Sequence, residues 1–371
     1  MNKIPILSFF SGGGLMDMGF EQAGFEITWT NEYDKDFAKL HALGITSWRL
    51  SNGNKIKAEI FNTKSITEIT SKEILNEAFP FGEPKHFGII GGPPCQDFSL
   101  NGNLKGFNGD RGKLTKIFYD KILELKPTFF VMENVTGLIR GKSHKDYFAK
   151  LIKRVEQDYF VDYKILNAID YGVPQSRERV FFIGINKNKI KSEWRLLNNE
   201  KQWFDWPINE VYFNSLKKFN WPKINNFCSK ISKSKDIPYE LCVESCLVKK
   251  NEVNIIANSN EFFPLHADVK KLNAISEGET NRPSFKRLHR FRYSPTACYG
   301  NNEVHLHPYI NRRISVREAL RIQGVPDSYV LPSEFSKSKK FKMIGNGVPV
   351  PLAYSVAVAL KIFIKEKIIT K

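Results

Sequence analysis

The chain has 371 residues, enough to bury a large core and to divide into two domains. Its apolar and charged fractions, 42% and 26%, are those of a folded globular protein and exclude a disordered or fibrous one. A net charge of +17 favours a polyanionic partner; because the longest apolar stretch, residues 352–360, is far short of a bilayer span, that partner is expected to be nucleic acid and not a membrane.

In chain order, residues 4–10 read as a short buried strand ended by Ser11-Gly12-Gly13-Gly14, and residues 15–23 carry helical spacing closed by Gly24. Residues 25–30 give a second strand, ending at Asn31-Glu32-Tyr33. Three glycines between a strand and a helix let backbone approach a ligand held at the helix N-terminus. Glu32 follows Gly12 by twenty residues, about where a second strand's carboxylate meets a ribose hydroxyl. There is no G-x-G-x-x-G and no Gly-Lys-Ser/Thr, so neither a dinucleotide fingerprint nor a P-loop is present.

Residues 87–90 form the next strand, followed by Gly91-Gly92-Pro93-Pro94-Cys95-Gln96. A cysteine directly after two prolines cannot sit inside a helix or a strand; it is presented on a stiff loop beyond a strand's carboxyl end, where α/β sheets collect their chemistry. A zinc deaminase would need a second cysteine three residues on, and Phe98 stands there. Residues 114–125 have helical periodicity, and residues 128–132 form a buried strand that ends at Glu133-Asn134-Val135. A carboxyl placed after five apolar residues is desolvated, which raises its pKa and suits it to donate a proton; capping of a following helix is the plainer use of Glu133 or Asn134. Residues 163–168 and 180–185 are expected strands, and between them Arg177 and Arg179 stand two apart, on one face if extended. Gly12, Glu32, Cys95 and Glu133 thus all fall at carboxyl ends of predicted strands.

Taken together these stretches resemble the cytosine-C5 DNA methyltransferases, in the family's order and over nearly the whole chain. Phe10 to Gly14 is similar to the cofactor loop, Asn31-Glu32-Tyr33-Asp34 to the ribose and adenine segment, and Gly91 to Gln96 to the nucleophile motif. Asp110-Arg111-Gly112-Lys113-Leu114 is similar to the segment that follows it, Glu133-Asn134-Val135 to the proton donor, and Gln175 to Arg179 to the paired arginines. Arg317-Glu318-Ala319 through Pro326, and Gly345-Asn346-Gly347-Val348-Pro349, resemble the last two motifs. The sequence departs from the pattern at Ser8, where an aspartate is common, at Leu15, where a further glycine often sits, and at Tyr33, which replaces a frequent tryptophan; Ser65-Ile66 is the nearest candidate for the usual adenine-binding Asp-Ile pair.

The resemblance implies a Rossmann-like α/β domain that uses S-adenosyl-L-methionine, held by Phe10, Ser11, Gly12, Gly14, Glu32, Tyr33, Pro94 and Asn346. Cys95 is then the nucleophile, Glu133 the partner of cytosine N3, and Arg177 and Arg179 hold the base, with Gln96, Lys217 and Lys218 among the DNA contacts. Residues 1–186 form the expected catalytic domain, 187–340 a smaller, mostly irregular or β target-recognition domain, and 341–371 a segment returning to the first. From about residue 187 strand–helix alternation fades and lysines mix with aromatics, and no side chain there announces which base it reads. Five cysteines without regular spacing argue against disulfides, Cys228, Cys242 and Cys246 lack a second close pair for zinc, and residues 1–5 do not open a secretory signal. The expectation is a cytoplasmic bacterial enzyme acting as a monomer on double-stranded DNA, paired in function with a restriction endonuclease. An RNA cytosine-C5 methyltransferase and a catalytically silent DNA-binding subunit stay open as alternatives.

Overall fold

The computed structural model describes residues 3–53, 60–94, 112–140, 142–197, 202–296, 299 and 304–368. Cys95, Gln96 and Cys298 lie outside the described residues.

The first half alternates strands and helices: β1 (Pro5–Phe9), α1 (Leu15–Gln22), β2 (Glu26–Asn31), β4 (Gly88–Gly91), α4 (Gly112–Leu125) and β5 (Phe129–Asn134) stand where the sequence predicts them, and α2 (Lys35–Ser51), β3 (Ile60–Asn62), α3 (Ser71–Ala78), α5 (Gly137–Arg140) and α6 (Lys142–Val155) are added by the structure. Two long strands follow, β6 (Tyr159–Asn167) and β7 (Glu178–Asn186). Local chemistry starts the helices. Asp34 caps α2 by accepting from the amides of Asp36 and Phe37, and Thr70 with Glu73 forms a capping box on α3.

All seven strands join one sheet in the order β3-β2-β1-β4-β5-β7-β6. The pairs from β3 to β5 are parallel, and β7 runs antiparallel to both β5 and β6. β1 lies between β2 and β4, so strand order reverses there, and the crevice beyond its carboxyl end is where such a sheet binds ligands. Every residue of β4 and β5 is buried, because helices cover both faces. One face packs Met16, Phe20 and the later helix α12 over Ile6, Phe129 and Ile183; the other packs Phe118, Ile122 and Phe148 over Leu7, Phe130 and Phe182.

Beyond β7 the elements are short: α7 (Ser192–Leu197), α8 (Ser215–Lys218), α9 (Val269–Asn273), β8 (Lys286–Arg287) and β9 (His305–Leu306). The expected irregular region is thus irregular, stitched by turns around a small core of Leu272, Ile275, Val304 and Leu306. Three helices close the chain: α10 (Val316–Ile322), opened by the Ser315–Glu318 capping box, α11 (Lys337–Asn346) and α12 (Val350–Lys367).

Contact with the first domain begins before residue 341. Ile314, Leu320 and Tyr329 share a core with Leu15, Phe37 and Leu40, and the Tyr329 hydroxyl donates to the Gly13 carbonyl at 2.7 Å. The helical stretch Lys337–Lys367 is long and apolar enough to cross a membrane by length and composition. Its apolar side chains are instead used in the core, with Leu352, Ala353, Val356, Ala357 and Leu360 all buried.

Candidate active site

The register of the sheet brings the candidate residues to one edge. Phe9 pairs with Asn31 on one side and with Gly91 on the other, and Gly91 pairs with Met132. The loops that follow β1, β2, β4 and β5 therefore leave the sheet at one level, carrying Phe10–Gly14, Glu32–Tyr33, Gly92–Pro94 and Glu133–Asn134. β7 arrives from the opposite direction, with Asn134 facing Val180, so Arg179 enters beside Glu133.

The loop after β1 is tightly wound. Phe10, Gly12 and Gly14 all have positive φ (55°, 55° and 73°), and the Gly14 amide closes a turn on the Ser11 carbonyl at 2.9 Å. At Gly12 no atom lies within 4 Å of where a Cβ would stand, leaving an open cradle against bare backbone. The other two glycines are packed: a Cβ on Gly13 would strike the Met343 side chain, and one on Gly14 the His41 ring, both under 3 Å.

Glu32 stands over this loop. Its Oε2 accepts from the Gly12 amide at 2.9 Å and its Oε1 from the Asp34 amide at 2.8 Å. A carboxylate has about four lone-pair directions, so capacity remains for ribose hydroxyls. Burial pushes its pKa above the usual range, and the two amides pull the other way. The Tyr33 ring is 72% exposed, so it is open to stack on a flat ligand. Ser65, proposed as an adenine partner, instead pairs its hydroxyl with that of Thr67 at 2.7 Å.

Behind the loop sits a buried group that sequence reading did not reveal. The Ser8 hydroxyl donates to Asp17 Oδ1 at 2.6 Å, His41 Nε2 lies 3.5 Å from Asp17 Oδ2, and His41 Nδ1 is 3.3 Å from the Ser11 hydroxyl. Ser8, which replaces the common aspartate, thus meets a carboxylate supplied by α1. The sequence held no signal for this, since strand, helix and loop must pack before the four meet.

Glu133 is buried, and Arg179 Nε reaches its Oε1 at 2.9 Å. Desolvation raises the carboxyl pKa, against the opposing charges of Arg179 and Arg177. A Cβ on Gly92 would come within 3.2 Å of Glu133 Oε2, so a side chain at Gly92 would crowd this acid. Asn134 does not act as a helix cap. Its Nδ2 donates to the Pro93 carbonyl at 3.2 Å, tying the two loops together.

The two arginines part company. Arg177 is buried, and its Nη2 donates to the Gly345 carbonyl at 2.7 Å. Gln175 Nε2 bonds Gln323 Oε1 at 3.1 Å, and Gln323 Nε2 bonds the Ile344 carbonyl at 2.7 Å. These links draw the end of α11 against the sheet edge, where a Cβ on Gly347 would strike Leu15 at 2.6 Å. The exposed Asn346 is thereby held next to the cofactor loop.

Lys217 and Lys218 lie elsewhere, in α8. It is anchored to the β6–β7 connection by the Ser215 amide on Asp170 Oδ1 at 3.0 Å. Lys218 Nζ donates to the Val211 carbonyl at 2.8 Å. No hydrogen bond or ion pair among the described residues joins either lysine to Glu133 or Arg179.

A mostly parallel seven-stranded sheet of this order, with an open glycine loop and the carboxyls of Glu32 and Glu133 at its strand ends, is a Rossmann-like α/β fold of the methyltransferase kind. The family model of C-5 cytosine-specific DNA methylase matches residues 4–362, and the chain belongs to that family. It is 38% identical to the type II methyltransferase M.NmeDI of Neisseria meningitidis serogroup C, over 98% of this chain and 85% of that protein. Identity with type II methyltransferase M.FnuDI of Fusobacterium nucleatum is 34%, over 98% and 96% of the two chains. Among solved structures, a prophage-encoded Escherichia coli protein described as a candidate DNA modification methyltransferase superposes with a TM-score of 0.66. It is 25% identical, over 98% of this chain and all of that one.

Proposed function

We propose that this enzyme transfers a methyl group from S-adenosylmethionine to C5 of a cytosine flipped out of double-stranded DNA, protecting a bacterium's own DNA from a companion restriction endonuclease. The observation that carries the reading is the Glu133 carboxyl: buried, its pKa pushed up by burial, held by Arg179, and carried by the strand whose Asn134 is tied to the Pro93 carbonyl, two positions before Cys95 in the chain.

C5 of cytosine is a poor nucleophile in an electron-deficient ring. Addition of the Cys95 thiolate to C6 breaks the C5–C6 double bond, and Glu133 gives its proton to N3 as the charge arrives there. C5 is then an enamine carbon. S-adenosylmethionine would be held by Phe10, Ser11, Gly12, Gly14, Glu32, Tyr33, Pro94 and Asn346, and would supply C5 with an electrophilic methyl group, its methyl–sulfur bond breaking to leave a neutral thioether. A base, water or a side chain, then removes the C5 proton; the electron pair restores the double bond and expels the thiolate, and N3 returns its proton to Glu133. Arg179 orients Glu133 and faces the base, while Arg177 secures the end of α11. The base must leave the stack for this, at roughly a few kcal/mol. Gln96 would contact the DNA around it. Lys217 and Lys218 would meet phosphates, so their replacement by Ala should weaken binding to all sequences and flatten its salt dependence.

Fluorine at C5 cannot leave as a cation. Duplex DNA carrying 5-fluorocytosine at the target site should therefore trap the enzyme, with S-adenosylmethionine present, as an adduct that survives denaturation. Mass mapping should place it on Cys95, and Cys95→Ser should form none. An adduct on another cysteine, or methylation by Cys95→Ser, would overturn the assignment.

A further inference from the structure

Two buried polar side chains stand directly behind the cofactor loop and take no part in the chemistry above, Asp17 of α1 and His41 of α2. Burying such groups costs stability that an apolar pair of the same volume would not, so their placement calls for a use.

Together they close the loop on itself. Ser8 of β1 donates to Asp17 Oδ1 at 2.6 Å, which ties the strand before the loop to the helix after it. His41 then reaches from the helix to the loop, with Nε2 3.5 Å from Asp17 Oδ2 and Nδ1 3.3 Å from the Ser11 hydroxyl. The Phe61 ring meets the imidazole edge-on at 5.1 Å between centroids, and a Cβ on Gly14 would strike the imidazole at 2.6 Å. The ring is held in place.

Charge sets the direction of these bonds. A separation of 2.6 Å is that of a hydroxyl donating to an ionised carboxylate. Burial, with the Arg49 charge nearby, brings the His41 pKa down to about 3, so the ring is neutral and carries one N–H. An anionic Oδ2 facing Nε2 keeps that proton on Nε2 and leaves Nδ1 an acceptor. The Ser11 hydroxyl must then donate to Nδ1, and its oxygen has only lone pairs to offer a ligand.

We propose that Asp17 and His41 are positioning residues that commit the Ser11 proton to the ring, so that the Ser11 oxygen accepts from the ammonium of the cofactor's methionine tail and cannot serve its carboxylate. This inference rests on the cofactor reading above, with Glu32 on the ribose and Tyr33 on the adenine.

The test is calorimetry on the full-length enzyme with three ligands. They are S-adenosylhomocysteine, its desamino analogue, which lacks the ammonium, and its decarboxylated analogue, which lacks the carboxylate. Ser11→Ala should bind the first and third about tenfold more weakly than the parent, the loss of one charge-assisted hydrogen bond, and the desamino analogue equally well. Asp17→Asn should weaken binding in the same pattern, because an amide donating to Nε2 moves the ring proton to Nδ1 and turns the Ser11 hydroxyl around. Where Asp17→Asn does not fold, His41→Phe, which keeps the ring and removes the acceptor, carries that arm. Equal losses on all three ligands would reduce the pair to scaffolding, and losses confined to the ligands that keep the carboxylate would make Ser11 a donor. Either result overturns the proposal, as does a folded Asp17→Asn that binds all three like the parent. A parent enzyme that binds none of them overturns the cofactor reading as well.

Discussion

Arg179 Nε lies 2.9 Å from Glu133 Oε1, an ion pair in which the carboxyl is buried and the guanidinium nearly so. The pairing sets two demands against each other. Burial pushes Glu133 toward the neutral form that can donate to N3, and Arg179 holds it back. Removing Arg179 should let the carboxyl pKa climb further and leave the acid misplaced. Arg179→Ala is expected to slow methylation by about two orders of magnitude, the lower end of what a positioned general acid contributes. Its pH–rate profile should shift alkaline. A profile identical to the parent's would show that Arg179 does not set the Glu133 proton.

Glu32→Ala removes a carboxylate that accepts from the amides of Gly12 and Asp34 and has lone pairs left for a ligand. Calorimetric affinity for S-adenosylmethionine should drop by more than about 1 kcal/mol, the loss of a charge-assisted hydrogen bond. Unchanged affinity would take Glu32 out of the site.

Asn134→Ala cuts the bond to the Pro93 carbonyl, which ties the end of β5 to the loop after β4. A hydrogen bond of this sort contributes about 1 kcal/mol, so adduct formation on fluorocytosine DNA should slow roughly five- to tenfold. Cofactor affinity should stay at the parent value. A fall in both would mean that the whole edge had collapsed.

Three histidines are buried in uncharged form. Burial holds His41 and His307 down to about 3 and His289 to about 4, all below the ordinary 6.5. Below pH 6.5 the unfolded chain therefore binds protons that the folded chain refuses, so stability is full above that value and lost as pH falls toward 4. The raised carboxyls of Glu133, Glu32, Asp162, Asp170 and Glu244 act with the opposite sign, since the folded state keeps their protons longer. Of these groups only the histidines have unfolded pKa values inside the interval from pH 7.5 to 5.5, so they dominate it, and the urea midpoint at pH 5.5 should lie below that at pH 7.5 by roughly 1–3 kcal/mol equivalent. Equal midpoints would mean that the histidines charge without penalty.

The parts of this site legible in the sequence are those that punctuation marks. Gly12–Gly14, Asn31–Glu32, Gly91–Pro94 and Glu133 each terminate an apolar run, so the strand ends stood out. What connects them did not. Asn134 read as a cap, yet it holds Pro93; Arg177 looked equivalent to Arg179, yet one turns to the α11 carbonyl and the other to the acid. α2, β3, α3, α5 and α6 went unnamed; β3 and α5, three and four residues long, are too short for any period to show. In the recognition region, β8 and β9 have two residues each, too few for any periodicity to show.

The Tyr329 hydroxyl on the Gly13 carbonyl spans 316 positions of chain. During synthesis the glycine loop emerges 316 residues ahead of its tyrosine clasp, and the Met343 side chain on Gly13 and the Leu15–Gly347 contact follow later still. At ribosomal speeds of ~5–20 residues per second, the half-built domain waits some tens of seconds for its own far end. A chain released before Tyr329 has its sheet but an unclasped loop. Premature termination should therefore leave a fragment that keeps secondary structure and has no grip on cofactor, rather than a weakened enzyme.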